Sequence, residues 1–528
     1  MSIAPVHIPP LCTEFHFAGR EMRCFAKRLP TIDAVLRRAA ATSEQEALVC
    51  GAVRLNWAQV NARSSRVAAG LAARGVRRGD RVGLLMGNCI EFVLAFFAIA
   101  KLGAISVPMS TRLQTAEIQY MLADCSAHAL IFDADICDRV PLDDPQLLRI
   151  ATGSAWLDLE SDGGSVPVLD LDEESVGVIL YTSGTTGRPK GAMLTQLNLV
   201  HSVMHYQFCM GMNSTDRSIV AVPLSHVTGL VAQLLTMTFC GGTLVLMSAF
   251  KAADFISLAE RERMTHTVMV PAMYKLCLMQ NEFAAHDLSA WRIGAYGGAP
   301  MPPANIEALH QQLPTLALIN AYGATETTSP ATTMPPMDTS SRGDSVGRAV
   351  LCGDIEVRDA QGRTVNAGET GEIWISGPMV VPGYWNDPAA TADAFVHGWW
   401  RSGDIGSLDA DGFLRVLDRL KDVVNRGGYK VYSAEVEALL ASHEGVLEAA
   451  VVGLPCPVLG ERVHAFVSRR QAGLDEAALR SFCAARIADY KVPETWTLSS
   501  DPLPRNANGK LIKRMLRERL TTSLKLAN

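Results

Sequence analysis

Residues 176–191 read VGVILYTSGTTGRPKG. The stretch opens on an apolar run, Val176 to Leu180, and passes at once into a loop of glycines and small hydroxylated residues that closes on Lys190 and Gly191. By composition such a loop is a phosphate cradle. Gly184, Gly187 and Gly191 allow close approach of the main chain, the hydroxyls of Thr182, Ser183, Thr185 and Thr186 can face phosphate oxygens, and Lys190 adds a point charge. It is not a Walker A loop: Pro189 stands where the second glycine would be, and Gly191 replaces the Ser or Thr after the lysine. The competing reading is a flexible polar surface loop.

Outward from this motif the chain alternates helix and strand. Thr31 is placed to cap a helix through Ala39, and Val60, Ser64, Val67 and Leu71 share one face of a second helix that Gly75 ends. The run Val82 to Met86, a helix from about Cys89 to Leu102 and a strand Ala104 to Val107 continue the pattern, which predicts an α/β sheet with buried strands. Alternation persists through Ile319. After Gly347 the texture changes to short strands with turn signals at Asp359 to Gly362, Asn366 to Gly368 and Asp409 to Gly412, which predicts a β-rich subdomain. From Lys421 onward helices (Ser433 to Ser442, Asp475 to Ile487) mix with strands (Ala449 to Gly453, Val463 to Ser468). The expected architecture is therefore α/β: a large N-terminal domain, 1–420, of α/β subdomains plus a β-rich subdomain, and a small mobile α+β C-terminal domain, 421–528.

A chain of 528 residues holds about three to four domains of ~150 residues each. Its 48 basic and 54 acidic residues leave a net charge of -6 without a long run of either sign, so nucleic acid is not expected as a partner. Twelve cysteines lie scattered with no C-x-x-C pair, which argues against structural zinc and a secreted disulfide framework and for a reducing cytoplasm. The N-terminus lacks the pattern of a signal peptide, and the C-terminus is not a peroxisomal address. Glu91 and Lys101 interrupt the apolar stretch 89–108, and Gln233, Gly241 and Gly242 break 230–250, so neither supplies ~20 clean apolar residues. Both read as a buried helix followed by a buried strand, and no transmembrane segment is expected.

A second motif, Asn320 to Glu326 (NAYGATE), follows the apolar strand Leu316 to Ile319 and puts a carboxylate at a strand end, where α/β sheets bind ligands. Glu326 suits a Mg²⁺ that bridges nucleotide phosphates, and Tyr322 suits stacking on a purine. Taken alone, Glu326 would be a solvated surface acid. Together with Arg401 to Asp404 (RSGD) and Asp418 to Asp422 (DRLKD), these motifs make the sequence resemble the adenylate-forming superfamily of acyl- and aryl-CoA synthetases, carrier-protein adenylation domains and firefly luciferase. The resemblance runs from about Thr31 to Leu516, with the motifs in the family's order.

The resemblance implies that Thr182 to Lys190 hold the β- and γ-phosphates of ATP, and that Thr325 and Glu326 contact the α-phosphate and Mg²⁺. Gly298, Ala299 and Tyr322 would frame the adenine. Asp404, otherwise a turn residue after Gly403, would accept hydrogen bonds from the ribose hydroxyls with Arg419 nearby. His226, in PLSHVTG (223–229), matches the histidine at the carboxylate end of the acyl pocket. Lys510, in PRNANGK (504–510), matches the lysine of adenylation, although Asn506 stands where a threonine is common; the alternative is an exposed lysine in a basic tail with Lys513, Arg514, Arg517 and Arg519. The C-terminal domain is expected to swing about Lys421, so that Gly427 and Gly428 open a tunnel for the pantetheine arm of coenzyme A, or else simply punctuate a turn. Asn425 replaces the family's oxidation-associated second lysine.

These features favour an ATP- and Mg²⁺-dependent acid–CoA ligase acting through an acyl-AMP. The alternatives are a stand-alone enzyme that loads a carrier protein and a catalytically silent ligand-binding relative. The chain stops soon after Lys510, and 371–421 is compact, which favours free CoA. Val227, Thr228, Gly297, Gly298, Gly323, Ala324, Thr328 and Ser329 are the expected walls of the acid pocket; small and uncharged, they admit a medium or longer acyl chain or an aryl acid and disfavour a dicarboxylate. Around Lys510 the sequence also resembles a site for protein acetyltransferases, which makes such an enzyme a further expected partner.

Overall fold

Parallel strands covered on both faces need apolar side chains throughout, and the runs named above supply them. The computed structural model describes residues 9–42, 44–161, 164–182, 188–470, 473–505 and 511–526. A six-stranded sheet runs in the order Leu148–Ala151, Ala129–Phe132, Arg81–Leu85, Ile105–Met109, Val176–Thr182, Lys190–Thr195. All neighbours are parallel except the last pair. A nine-stranded sheet has a parallel centre, Ala317–Tyr322, Ile293–Tyr296, His266–Met269, Arg217–Val220, Thr243–Leu246 and Glu46–Cys50, with antiparallel strands beyond both ends.

One core cluster joins side chains of both sheets with the helices between them. Thr31 caps Ile32–Thr42 by accepting the Ala34 N–H at 3.1 Å. Asn56 and Gln59 form a capping box on Trp57–Ala73, whose Val60, Ser64, Val67 and Leu71 are buried, and Gly75 follows it at φ +99°. Lys101, which breaks the apolar pattern of Ile90–Lys101, is buried because Asp33 (2.8 Å) and Asn61 (2.6 Å) hold its amine. Gln233 likewise donates to Ser218 and the Ile219 carbonyl. Its helix differs from expectation: Thr228–Leu235 is a π-helix that continues as the α-helix Thr236–Cys240 before the strand Thr243–Leu246. Among the described residues no helix is long and apolar enough to cross a membrane.

Beyond Gly347, five strands, Asp354–Arg358, Thr370–Ser376, Phe395–Val396, Trp399–Leu408 and Leu414–Arg419, form the β-rich sheet, with Gly362, Gly368 and Gly412 in left-handed turns. The chain divides into two compact units, and the one holding the C-terminal segment also takes in 356–373, 402–410 and 415–420. In that unit the antiparallel strands Val446–Cys456 and Gly460–Arg469 are joined by the hairpin Val424–Arg426/Tyr429–Val431 and, in parallel, by Thr495–Ser499. Helices Ser433–Ala441 and Glu476–Ala484 complete its core. The basic run after Gly509 is no loose tail: Lys513–Leu526 is a helix, and Lys513 is held by Ser433 and by Glu437 at 2.6 Å. All twelve cysteines are free thiols, among which Cys137 is exposed and Cys24, Cys125, Cys277, Cys352 and Cys483 are buried.

Four buried histidines make stability fall with acidity. Burial pushes His201 down to about 3, His266 and His464 to about 4, and His205 well below its ordinary range. An unfolded histidine binds its proton near pH 6.5, so the unfolded state alone gains protons between about pH 6.5 and 4, and this stability, full above pH 6.5, is lost as pH falls through that window. Each histidine contributes a slope of up to about 1.4 kcal/mol per pH unit. Denaturant midpoints measured from pH 7 to pH 4.5 are expected to drop steadily; a flat profile would contradict the neutral burial of these rings.

Candidate active site

The central strands of the nine-stranded sheet point the same way, so the loops after them open along one edge, the usual ligand edge of such sheets. His226, Val227 and Thr228 follow the strand Arg217–Val220, Gly297, Gly298 and Ala299 follow Ile293–Tyr296, and Tyr322 to Thr328 end and follow Ala317–Tyr322. These loops approach closely. A Cβ on Gly297 would lie 2.5 Å from the Ala321 carbonyl oxygen, and one on Gly323 3.0 Å from Thr327 Oγ1 and 3.1 Å from the Ala331 nitrogen. Their smallness is thus required by backbone packing, whatever else they line. Thr325–Thr327 is a single 3₁₀ turn, braced by the Ala324 N–H donating to Thr327 Oγ1 at 3.0 Å. Thr328 and Ser329 have φ of 49° and 39°. Thr328 is fully buried and its Oγ1 has no partner among the described residues, whereas Ser329 is hydrogen-bonded to the Tyr206 hydroxyl at 2.8 Å.

His226 is half-buried just before the π-helix; its N–H donates to the Pro223 carbonyl and its own carbonyl accepts from Leu230. Asn88, which the sequence reading passed over, fixes this turn. Its amide nitrogen lies 3.0 Å from the carbonyls of Val222 and Met247 and 3.4 Å from that of Val220, while its oxygen accepts the Leu224 N–H at 2.8 Å. The signal was a polar residue at the end of an apolar strand. Asn88→Ala leaves these buried groups without the amide and is expected to lower the unfolding free energy by about 2–4 kcal/mol, read from the denaturant midpoint at unchanged m-value. A loss below about 0.5 kcal/mol, the range of an ordinary surface change, would show that the amide is dispensable.

Thr182 ends the strand Val176–Thr182, and its hydroxyl donates to the carbonyl of Lys190, its register partner, at 3.4 Å. Ser183, Gly184, Thr185, Thr186, Gly187 and Lys510 lie outside the described residues. The lysine and the acid of the two motifs are brought together through a tyrosine. Lys190 Nζ lies 5.1 Å from the centre of the Tyr384 ring, and the Tyr384 hydroxyl donates to Glu326 Oε1 at 2.9 Å. Glu326 is 9% exposed, so it is not a solvated surface acid. Burial, and then the Glu326 carboxylate, push the Tyr384 phenol far above its usual range, which keeps it a donor.

In the other unit Asp404 is no turn residue. It sits buried in the strand Trp399–Leu408, with Oδ1 2.7 Å from Arg419 Nε. Asp418 accepts from the Ser433 N–H and hydroxyl at the start of the helix Ser433–Ala441. Burial lowers the Lys421 amine, and Arg517 of the C-terminal helix pairs with Asp422 at 2.9 Å beside it. Gly427 and Gly428, at φ 58° and 91°, are the two central residues of the hairpin turn between Val424–Arg426 and Tyr429–Val431, a conformation that favours glycine.

A family model described as AMP-binding enzyme matches residues 35–385, and one described as AMP-binding enzyme C-terminal domain matches 435–510. The chain belongs to this family. Within the adenylate-forming superfamily it falls in the acid–CoA ligase branch, which uses ATP, Mg²⁺ and coenzyme A. This AMP-binding enzyme is 34% identical over 479 residues to the long-chain-fatty-acid–CoA ligase FadD13 of Mycobacterium tuberculosis, covering 89% of this chain and 94% of that one. It is 36% identical over 486 residues to a feruloyl-CoA synthase of an Amycolatopsis species, covering 92% and 98%. Among solved structures it resembles the o-succinylbenzoate CoA synthetase MenE of Bacillus subtilis in complex with its acyl-adenylate intermediate, with a TM-score of 0.85, 30% identity, and coverage of 93% and 98%.

Proposed function

We propose that this enzyme makes an acyl-CoA from a medium- or long-chain aliphatic or an aryl carboxylic acid, releasing AMP and pyrophosphate. The observation that carries the reading is the junction of Lys190 and the buried Glu326 through Tyr384, which unites the phosphate loop with the acid of the second motif. A carboxylate oxygen of the acid attacks the α-phosphorus of ATP and the bond to pyrophosphate breaks; then the thiol sulfur attacks the acyl carbon, loses its proton, and AMP departs. Thr182 to Lys190 cradle the β- and γ-phosphates, Thr325 the α-phosphate, Gly298, Ala299 and Tyr322 the adenine, and Asp404 with Arg419 the ribose. Glu326 presents a carboxylate oxygen, Oε2, that has no hydrogen bond among the described residues, which fits a hard cation; Mg²⁺ held there would offset phosphate charge. His226 meets the acid's carboxylate, Lys510 stabilises the charge that develops on it, and the body 421–528 turns about Lys421 against 1–420, bringing Gly427 and Gly428 to the pantetheine.

The names of the relatives support free CoA as the acceptor. Acetylation of Lys510 by a protein acetyltransferase would remove its charge and stop adenylation. Twelve free thiols support a cytoplasmic setting. The test is incubation with ATP, Mg²⁺ and pooled aliphatic, aryl and dicarboxylic acids, with and without CoA, read by mass spectrometry. Acyl-CoA formed only with CoA and from an aliphatic or aryl acid is expected; acyl-AMP that persists despite CoA would instead favour transfer to a carrier protein.

A further inference from the structure

Tyr384 lies in neither motif, yet it touches a residue of each. Residues 383–385 continue the six-stranded sheet past Lys190–Thr195: the Met193 N–H donates to the Gly383 carbonyl at 3.1 Å, the Trp385 N–H donates to the Gly191 carbonyl at 2.7 Å, and Ala192 and Tyr384 form a bridge. The Tyr384 N–H donates to Thr391 Oγ1 at 2.9 Å. Its ring stands edge-on to Phe395, centroids 5.5 Å apart. Glycine is needed on both sides, because a Cβ at 383 would fall 2.4 Å from Thr391 Cγ2 and one at 191 would fall 2.7 Å from Ile179 Cγ2. Three residues before the ring, the Val381 N–H donates to the Glu326 carbonyl at 3.0 Å. Glu326 is therefore gripped at its main chain and its side chain by one short segment. A phenylalanine would fill the same volume; the hydroxyl adds a bond donated to Glu326 Oε1 and one with the Trp400 side chain, in a site where a buried polar group must be satisfied to be tolerated.

We propose that Tyr384 is a positioning residue for the Mg²⁺ contact: by holding Oε1 of Glu326 it turns Oε2 toward the cation. This rests on the reading of Glu326 as the Mg²⁺ ligand. Groups that orient a metal ligand from behind typically change metal affinity 10–100-fold when removed. The site asks for such orientation, since Mg²⁺ tolerates little departure from its preferred geometry.

The test uses the full-length enzyme with Mn²⁺ as the probe, titrated by electron paramagnetic resonance in the presence of α,β-methylene-ATP and without any acid. Tyr384→Phe is expected to raise the Mn²⁺ dissociation constant about tenfold or more. Incorporating p-aminophenylalanine at position 384, which returns an N–H donor to the ring, should restore binding. Glu326→Gln should weaken Mn²⁺ at least as strongly, and adding Tyr384→Phe to it should cost nothing more, because the two act through one contact. Weakened binding in Glu326→Gln with wild-type binding in Tyr384→Phe overturns the role of Tyr384 alone. Wild-type binding in Glu326→Gln overturns the Mg²⁺ reading beneath it. Loss of thermal stability in Tyr384→Phe without a change in Mn²⁺ affinity makes the tyrosine a packing residue and also overturns the proposal.

Discussion

Lys510→Ala is expected to slow acyl-AMP formation by about a hundredfold or more and to leave the conversion of supplied acyl-AMP to acyl-CoA unchanged. In the first half-reaction an anionic carboxylate approaches an anionic phosphate, and one preorganised cation at that point acts on the transition state more than on bound substrates. In the second half-reaction the phosphate leaves as AMP and the incoming group is a thiol, so the same cation has no comparable task. Measuring both halves separately, pyrophosphate release for the first and thioester appearance for the second, isolates the effect. Equal loss in both would contradict the proposed swing of 421–528, because a lysine needed throughout cannot be one that leaves between steps.

Asp404→Ala should behave oppositely and impair both halves. The AMP portion is present in ATP and in acyl-AMP, and a buried carboxylate that accepts two ribose hydroxyls makes two charge-assisted hydrogen bonds, each of about 1.5–3 kcal/mol. The KM for ATP and the KM for supplied acyl-AMP are both expected to rise by about a hundredfold or more, with Asp404→Asn between the two. Arg419 sits 2.7 Å from the carboxylate and would be left without that partner, so the melting temperature of each variant must be followed alongside. A variant that stays folded and raises only the ATP constant would remove Asp404 from the ribose.

What the sequence made legible was what depends on near neighbours. The buried strands around Val82 and Val176, the Thr31 cap, the stop at Gly75 and the turns at Gly362, Gly368 and Gly412 are local decisions of apolar period and positive φ, and they were readable. Long-range partners were not. Tyr384 finds Glu326 across 58 positions and Asn88 finds Val220 across 132, and no pattern in either neighbourhood announces the other. The same limit explains Asp404, which looks like a turn residue because Gly403 precedes it with φ 67°, yet is buried by the strand pairing of a distant segment. The π-helix escaped for a different reason: a run such as Leu230 to Leu235, apolar except at Gln233, has no period to distinguish 3.6 residues per turn from a wider one. At Gly427 and Gly428 the turn accounts for both glycines in full, so their service to a pantetheine rests on the family resemblance.

The twelve thiols differ in reactivity. Ten of the twelve have pKa values raised, chiefly by burial or, at Cys12, by the hydrogen bond to Glu14. The two that remain are the exposed Cys137 and Cys456, whose thiol is lowered by the backbone N–H groups of Leu459 and Val458. Because thiolate fraction and access set the rate of alkylation, a maleimide dye pair should find these two first. One lies in each compact unit, so the unaltered chain already carries donor and acceptor positions for energy transfer, and the proposed swing becomes a motion that can be timed in single molecules as ATP, acid and CoA are added in turn.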